Sequence, residues 1–159
     1  MTWRGSTNSG DRFLSCLPYL LPLIDSLAFG QSLFEQFPVL GQIILIPLMP
    51  LLEIMARFRL AEFIIFLALY ILVVRNENIL HFIRFNTMQA LLFGISLSLC
   101  SLAFPILFSG IPIPLLAETL NSTVFLGILA AFVYSIIKCA TGAYPEFPFI
   151  SDAAYMQVR

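Results

Sequence analysis

The amino-acid sequence predicts an all-α, polytopic membrane protein with four transmembrane helices and amphipathic helices at the membrane interface. Three observations carry this. Of 159 residues, 60% are hydrophobic and 11% charged, whereas a soluble domain is about half apolar and about a quarter charged. Mean hydropathy is +0.96. The apolar residues also gather in runs close to the length a bilayer core asks of a helix, about 20 residues. A net charge of −1 offers no basic surface for nucleic acid, and a chain of this length makes one small membrane domain.

Residues 1–12 form a polar N-terminal segment. The opening "MTWRGSTNSGDRF" holds an acidic residue and suits neither a secretory signal nor an Arg/Ser-rich transit peptide, so it reads as a mature start. The first span is placed at residues 13–29. Residues 37–53 contain Pro38, Pro47 and Pro50, and each internal proline removes a backbone hydrogen bond that lipid cannot replace. That segment is therefore expected to lie in the interface or to re-enter shallowly, a fifth crossing being the other reading. The second, third and fourth spans fall at residues 54–74, 88–108 and 122–142. Asn121 or Ser122 would cap the fourth, and Gly142 followed by Pro145 would end it. Residues 143–159 remain as an interfacial tail.

Four spans place the N-terminus, the loop after the second span and the C-terminus on one side. That side carries six basic residues, Arg4, Arg12, Arg75, Arg84, Lys138 and Arg159, against Arg57 and Arg59 on the other. The positive-inside rule then turns both termini toward cytoplasm or stroma. Within that inner loop, Ile79, Phe82 and Ile83 have the spacing of a short amphipathic helix along the membrane before the third span.

Polar residues inside the spans are the candidate functional groups. Asn86, Gln89, Ser96 and Cys100 share one face of the third span, and facing lipid their amides would lack partners, so the stripe should meet another helix or a wet groove. In the first span Pro18, Pro22 and Asp25 lie on one side, and a carboxylate in a span is a functional candidate by default. Asp25, Arg84, Asn86, Gln89 and Ser96 are accordingly the candidates for lining a translocation groove, with Arg84 at its mouth to attract acidic or polar segments. Gly127 and Ala131 form a small-residue step for helix packing, and Lys138 should reach back to the interface. Glu53 with Arg57, and Arg59 with Glu62, are helix-spaced pairs on a solvated face. In the tail, Tyr144, Phe147, Phe149 and Tyr155 suit a membrane interface, while Ser151 and Asp152 can cap a helical turn. Ser151, Asp152 and Tyr155 are the docking candidates there.

Catalytic chemistry has little to stand on. His81 is the single histidine, and the sequence holds no HExxH, GxSxG or phosphate-binding glycine loop. Cys16, Cys100 and Cys139 lie in apolar stretches without metal-ligand spacing and read as buried small hydrophobes. No catalytic residue, metal or cofactor is expected.

The segments "DRFLSCLPYLLPLIDSLAFG", "LYILVVRN", "HFIRFNTMQALL" and "PFISDAAYMQVR" together resemble the Tic-twenty family, small four-helix subunits of the chloroplast inner-envelope protein translocon and their cyanobacterial relatives. The resemblance runs from Asp11 to Arg159, with "IRFNTMQA" and "ISDAA" its most specific parts. It implies a helical membrane protein with both termini inward, moving preproteins together with other translocon subunits. Its partners would then be those subunits, the transiting polypeptide, the bilayer and further copies of itself. The implied location is the plastid inner envelope or a cyanobacterial plasma or thylakoid membrane. An alternative function is a structural or assembly subunit of a photosynthetic membrane complex; a small solute carrier ranks last, because no inverted repeat is visible.

Overall fold

A computed structural model describes residues 7–58, 60–109 and 114–158. Arg4, Arg59 and Arg159, which enter the charge count above, lie outside the described residues, as does the Arg59–Glu62 pair. Among the described residues six helical elements follow in order: α1, Ser9–Gln36; α2, Pro38–Arg57; α3, Ala61–Val74; α4, His81–Phe108; α5, Pro114–Ala140; and α6, Ile150–Gln157. No strand occurs among the described residues. Four helices, α1, α2, α4 and α5, are long and apolar enough to cross a membrane.

The start of α1 is set by a capping box: Asn8 Oδ1 accepts the Ser9 N–H at 2.7 Å and Asp11 Oδ2 accepts the Asn8 N–H at 2.8 Å. Pro18 lacks an N–H, and around it the backbone tightens to a 3₁₀ turn at Leu17–Tyr19. The helix ends before Phe37, whose backbone (φ −127°, ψ 75°) has left the helical region that a following proline disfavours. Pro38 then opens α2, at a position where a missing N–H does no harm.

The membrane segments are divided differently from the sequence expectation. Residues 37–53, placed in the interface, supply most of α2, and residues 54–74 are split between the end of α2 and α3, with the break after Arg57. Pro47 and Pro50 lie inside α2 without ending it. Each removes one backbone donor, from the carbonyls of Ile43 and Ile46, while the rest of the ladder survives. At a rise of about 1.5 Å per residue this helix reaches about 30 Å, the thickness of a bilayer core. α3 is short and closes in a π-helical turn at Leu69–Val74.

The separate amphipathic helix expected near Ile79 is absent as such: from His81 onward the segment is the first part of α4, which runs unbroken for 28 residues. Arg84, Asn86 and Gln89 find hydrogen-bond partners inside the protein, so the chain has no need to turn along the interface. α5 begins well before residue 122 but stops where expected. Gly142 has φ +73°, its N–H donates to Cys139 O at 2.9 Å, and the Ala143 N–H donates to Lys138 O at 2.9 Å, the paired bonds of a Schellman ending.

The core is layered along the bundle. At one end Val74, Phe85, Met88, Ala154 and Val158 pack together; midway Leu23, Ile24 and Leu48 join α1 to α2; at the far end Phe29, Leu97 and Phe125 close the bundle. The first of these ends gathers the start of α1, the end of α3, the start of α4, the end of α5 and the tail. Arg12 Nη1 donates to Ala140 O at 3.2 Å there, and Arg84 Nε donates to Val74 O at 2.9 Å.

Candidate functional site

Two polar features lie within this apolar bundle, and the sequence candidates divide between them. The first is a closed knot. Asn86 and Gln89, one turn apart on α4, are fully buried, as are Tyr19 of α1 and Cys139 of α5. The Tyr19 hydroxyl lies 2.6 Å from Gln89 Oε1 and 2.9 Å from Asn86 Oδ1. A phenol has one proton to donate. The Cys139 thiol donates to Asn86 Oδ1 at 3.2 Å, which leaves the Tyr19 proton for the nearer oxygen of Gln89. Both amide nitrogens donate outward, Asn86 Nδ2 to Phe82 O at 2.7 Å and Gln89 Nε2 to Pro145 O at 3.2 Å and Ser151 Oγ at 2.6 Å. Ser151 Oγ also accepts the Phe147 N–H at 2.7 Å.

The knot therefore joins α1, α4, α5 and the tail, with an acceptor for each donor named. Asn86 and Gln89 do not face a groove in this arrangement; they are turned on one another's neighbours. Arg84 is also buried, with Nε held by the Val74 carbonyl. Above it His81 Nδ1 meets the Tyr144 hydroxyl at 3.1 Å and Nε2 meets Val158 O at 3.3 Å, so both ring nitrogens are engaged. Ser151 is not a helix cap either: it sits inside the first turn of α6 and points into the knot. Tyr155 lies 4.4 Å, ring to ring, from Phe85, and Asp152 is exposed, lining a surface cleft with Glu146 and Tyr155.

The second feature is a cleft of about 560 Å³ between α1, α3 and α4. Its walls are apolar, among them Leu21, Phe66 and Leu91, yet Asp25 and Glu62 both open onto it with Ser98. Asp25 lies against the α4 backbone at Gly94, where an added Cβ would stand 3.5 Å from Oδ2. Phe63, Leu99 and Leu102 at its edge are exposed, so the cleft opens on the outside of the bundle. Of the groove candidates, Asp25 is thus the one found in an open cleft with a second acid.

Ser96 occupies a different place. With Cys100, Gly127, Ala131 and Tyr134 it lines a cleft of about 620 Å³ between α4 and α5, and its hydroxyl is tied to Leu92 O at 2.9 Å. Nothing stands within 4 Å of a Cβ built on Gly127, so Gly127 faces this cleft, whereas Ala131 packs against the cluster of Tyr19, Ala90 and Phe93.

Sequence reasoning did not single out Tyr19, Cys139 or Glu62. Glu62 had been assigned to a solvated charge pair, and Tyr19 hid within an apolar run. The period of the prolines offered a clue to Tyr19, since Pro18 and Pro22 face inward with it.

Fold and polar interior together define an α-helical integral membrane protein, a small bundle with its tail folded back on the helix ends. Residues 9–154 match the family model described as "Chloroplast import apparatus Tic20-like". A Tic20 family protein of Synechocystis sp. is 49% identical over all of this chain and 99% of its own length. Protein TIC 20-v, chloroplastic, of Arabidopsis thaliana is 33% identical over 96% of this chain and 73% of its own. The Tic20 family protein Ycf60 of Gracilaria tenuistipitata is 37% identical over 93% and 75%. The chain belongs to the Tic20 family.

Proposed function

We propose that the chain is a membrane subunit of a protein translocon of the plastid inner-envelope type, contributes to moving preproteins across the membrane, and has no catalytic activity of its own. The observation that carries this reading is the match of residues 9–154 to a family described as import apparatus. The architecture supports a role shared with other subunits. The bundle interior is filled by Tyr19, Phe85, Asn86 and Gln89, so a polypeptide would pass along an outer face completed by partner subunits or further copies. Arg12, Arg75, Arg84 and Lys138 all lie toward the end where the tail docks, which supports placing both termini on the cytoplasmic or stromal side.

The test is to deplete the chain from native membranes and follow the transport of a polypeptide arrested in transit, with a photo-cross-linker on exposed Leu99 and, as a control, on Phe149 of the tail. Loss of transport, with cross-links to the arrested polypeptide, is expected. Unchanged transport, no cross-links, and stoichiometric copurification with a photosynthetic complex would refute the reading in favour of an assembly role.

A further inference from the structure

The cleft between α4 and α5 is apolar along its length and has a cation at one end. Val124, Gly127 and Tyr134 form its α5 wall, Phe93 and Cys100 belong to its α4 wall, and each set keeps to one helix face by steps of three, four or seven residues. The tail closes the end nearest Tyr134, where the Phe147 ring lies 5.1 Å from that of Phe93 and 5.2 Å from that of Tyr134. Lys138 is the next residue on the same face of α5, one turn beyond Tyr134, and its Nζ stands 5.5 Å from the centre of the Tyr134 ring. We propose that this cleft binds one acyl chain of an anionic phospholipid, whose phosphate rests on Lys138 at the membrane face that holds the tail.

Length decides between occupants. From Val124 to Tyr134, at a rise of about 1.5 Å per residue, the cleft runs about 15 Å along α5, which is half of a hydrocarbon core about 30 Å thick. That is the depth of one leaflet. An acyl chain entering from the tail side fills it, whereas a spanning helix, from a partner or a second copy, would need a groove about twice as long. Charge then selects the headgroup. Lys138 lies two residues before the end of α5 at Ala140, the level at which a lysine reaches the interface, and a basic residue placed there attracts anionic lipid. Tyr134 lies one turn deeper, at the boundary where aromatic rings border the headgroups. Glu146 and Asp152 line a separate surface cleft beyond Phe147 and Pro148, outside the path of the chain. The assignment concerns the lipid around the bundle and stands apart from the translocon reading.

The experiment uses the full chain in phosphatidylcholine nanodiscs doped with phosphatidylglycerol that carries a photoactivatable diazirine midway along one acyl chain, and in parallel with phosphatidylcholine carrying the same chain. Mass spectrometry should find the label concentrated on residues 93–100 and 124–134, about fivefold stronger from the phosphatidylglycerol probe. Lys138→Gln should bring the two probes level at these residues, and Lys138→Arg should keep the difference. Gly127→Leu should fill the cleft and move the label to other faces with the melting temperature unchanged, because nothing stands within 4 Å of a Cβ at that position. Labelling spread evenly around the bundle, equal labelling of the native chain by both probes, or a phosphatidylglycerol preference that survives Lys138→Gln would overturn the proposal. So would a disulfide joining two copies through Cys100 in place of the lipid label, which would make the occupant a second copy. Displacement of the label by soluble glycerol phosphate would also overturn it, making this a site for small anions. None of these results bears on whether depletion stops transport.

Discussion

Replacing Gln89 with leucine removes a carboxamide and keeps the volume nearly constant, so it isolates the polar knot from the packing around it. Three bonds disappear: the Tyr19 hydroxyl at 2.6 Å, Pro145 O at 3.2 Å and Ser151 Oγ at 2.6 Å. Two of those partners keep another contact, Tyr19 with Asn86 Oδ1 and Ser151 with the Phe147 N–H. Pro145 O loses its side-chain donor. With about 0.5–1.5 kcal/mol for each of the three bonds and about 1–3 kcal/mol for the buried group left unpaired, the loss should be at least about 2.5 kcal/mol. Two of the three bonds lead to the tail, so α6 should loosen first. Hydrogen exchange of the amides of residues 150–157 should accelerate in Gln89→Leu before those of α4, and the detergent-solubilised protein should melt earlier. Tyr19→Phe should lower stability by about 1–2 kcal/mol through the same oxygen, and the double variant should fall short of the sum by about 1 kcal/mol, because the two share a bond. A leucine variant with unchanged tail exchange and a loss under about 0.5 kcal/mol would show that the knot does not latch the tail.

Gly142→Ala should destabilise by about 1–2 kcal/mol, because φ is +73° and a Cβ would lie 2.8 Å from Thr7 Oγ1; thermal melting reads it, and a neutral result would remove the Schellman ending as a constraint. Phe149 adopts φ 68° and ψ −45° in a tight turn closed by Ile150 N–H to Pro148 O at 2.8 Å, while its ring is 86% exposed. Phe149→Gly should therefore raise stability in detergent by up to about 1 kcal/mol, and a loss would show that the ring is packed. Phe125, fully buried between Gly30 and Phe34, should cost about 3–5 kcal/mol as Phe125→Ala, measured by denaturant unfolding. Cys16 and Cys139 share one cluster across α1 and α5, so copper-phenanthroline oxidation should join these two, read as a 16–139 cross-linked peptide by mass spectrometry. A cross-link through Cys100 instead would contradict the packing of α1 on α5.

Much of the fold was open to reading from the sequence because the bilayer reduces the problem to length and hydropathy. Apolar runs, a C-terminal glycine and the uneven distribution of arginines are local or additive signals, and they place α1, α4 and α5 and the end of α5 at Gly142. Proline was the point where a local rule misled: Pro47 and Pro50 each remove one hydrogen bond, but whether a helix ends there depends on what supports it, and Leu48 packs against Leu23 and Ile24. Which polar residues meet was beyond any spacing rule. Asn86 and Gln89 were recognisable as groups that must avoid lipid, yet their partners Tyr19, Cys139 and Ser151 come from far along the chain. Asp25 and Glu62 likewise reach one cleft only because α3 lies beside α1 and α4. The sequence by itself determined that this chain lives in a membrane and that its amides would be hidden, since both follow from the transfer of single side chains out of water. Only the tertiary structure decided that the amides close a latch while Asp25 and Glu62 line one cleft, because partner choice depends on helices meeting in space.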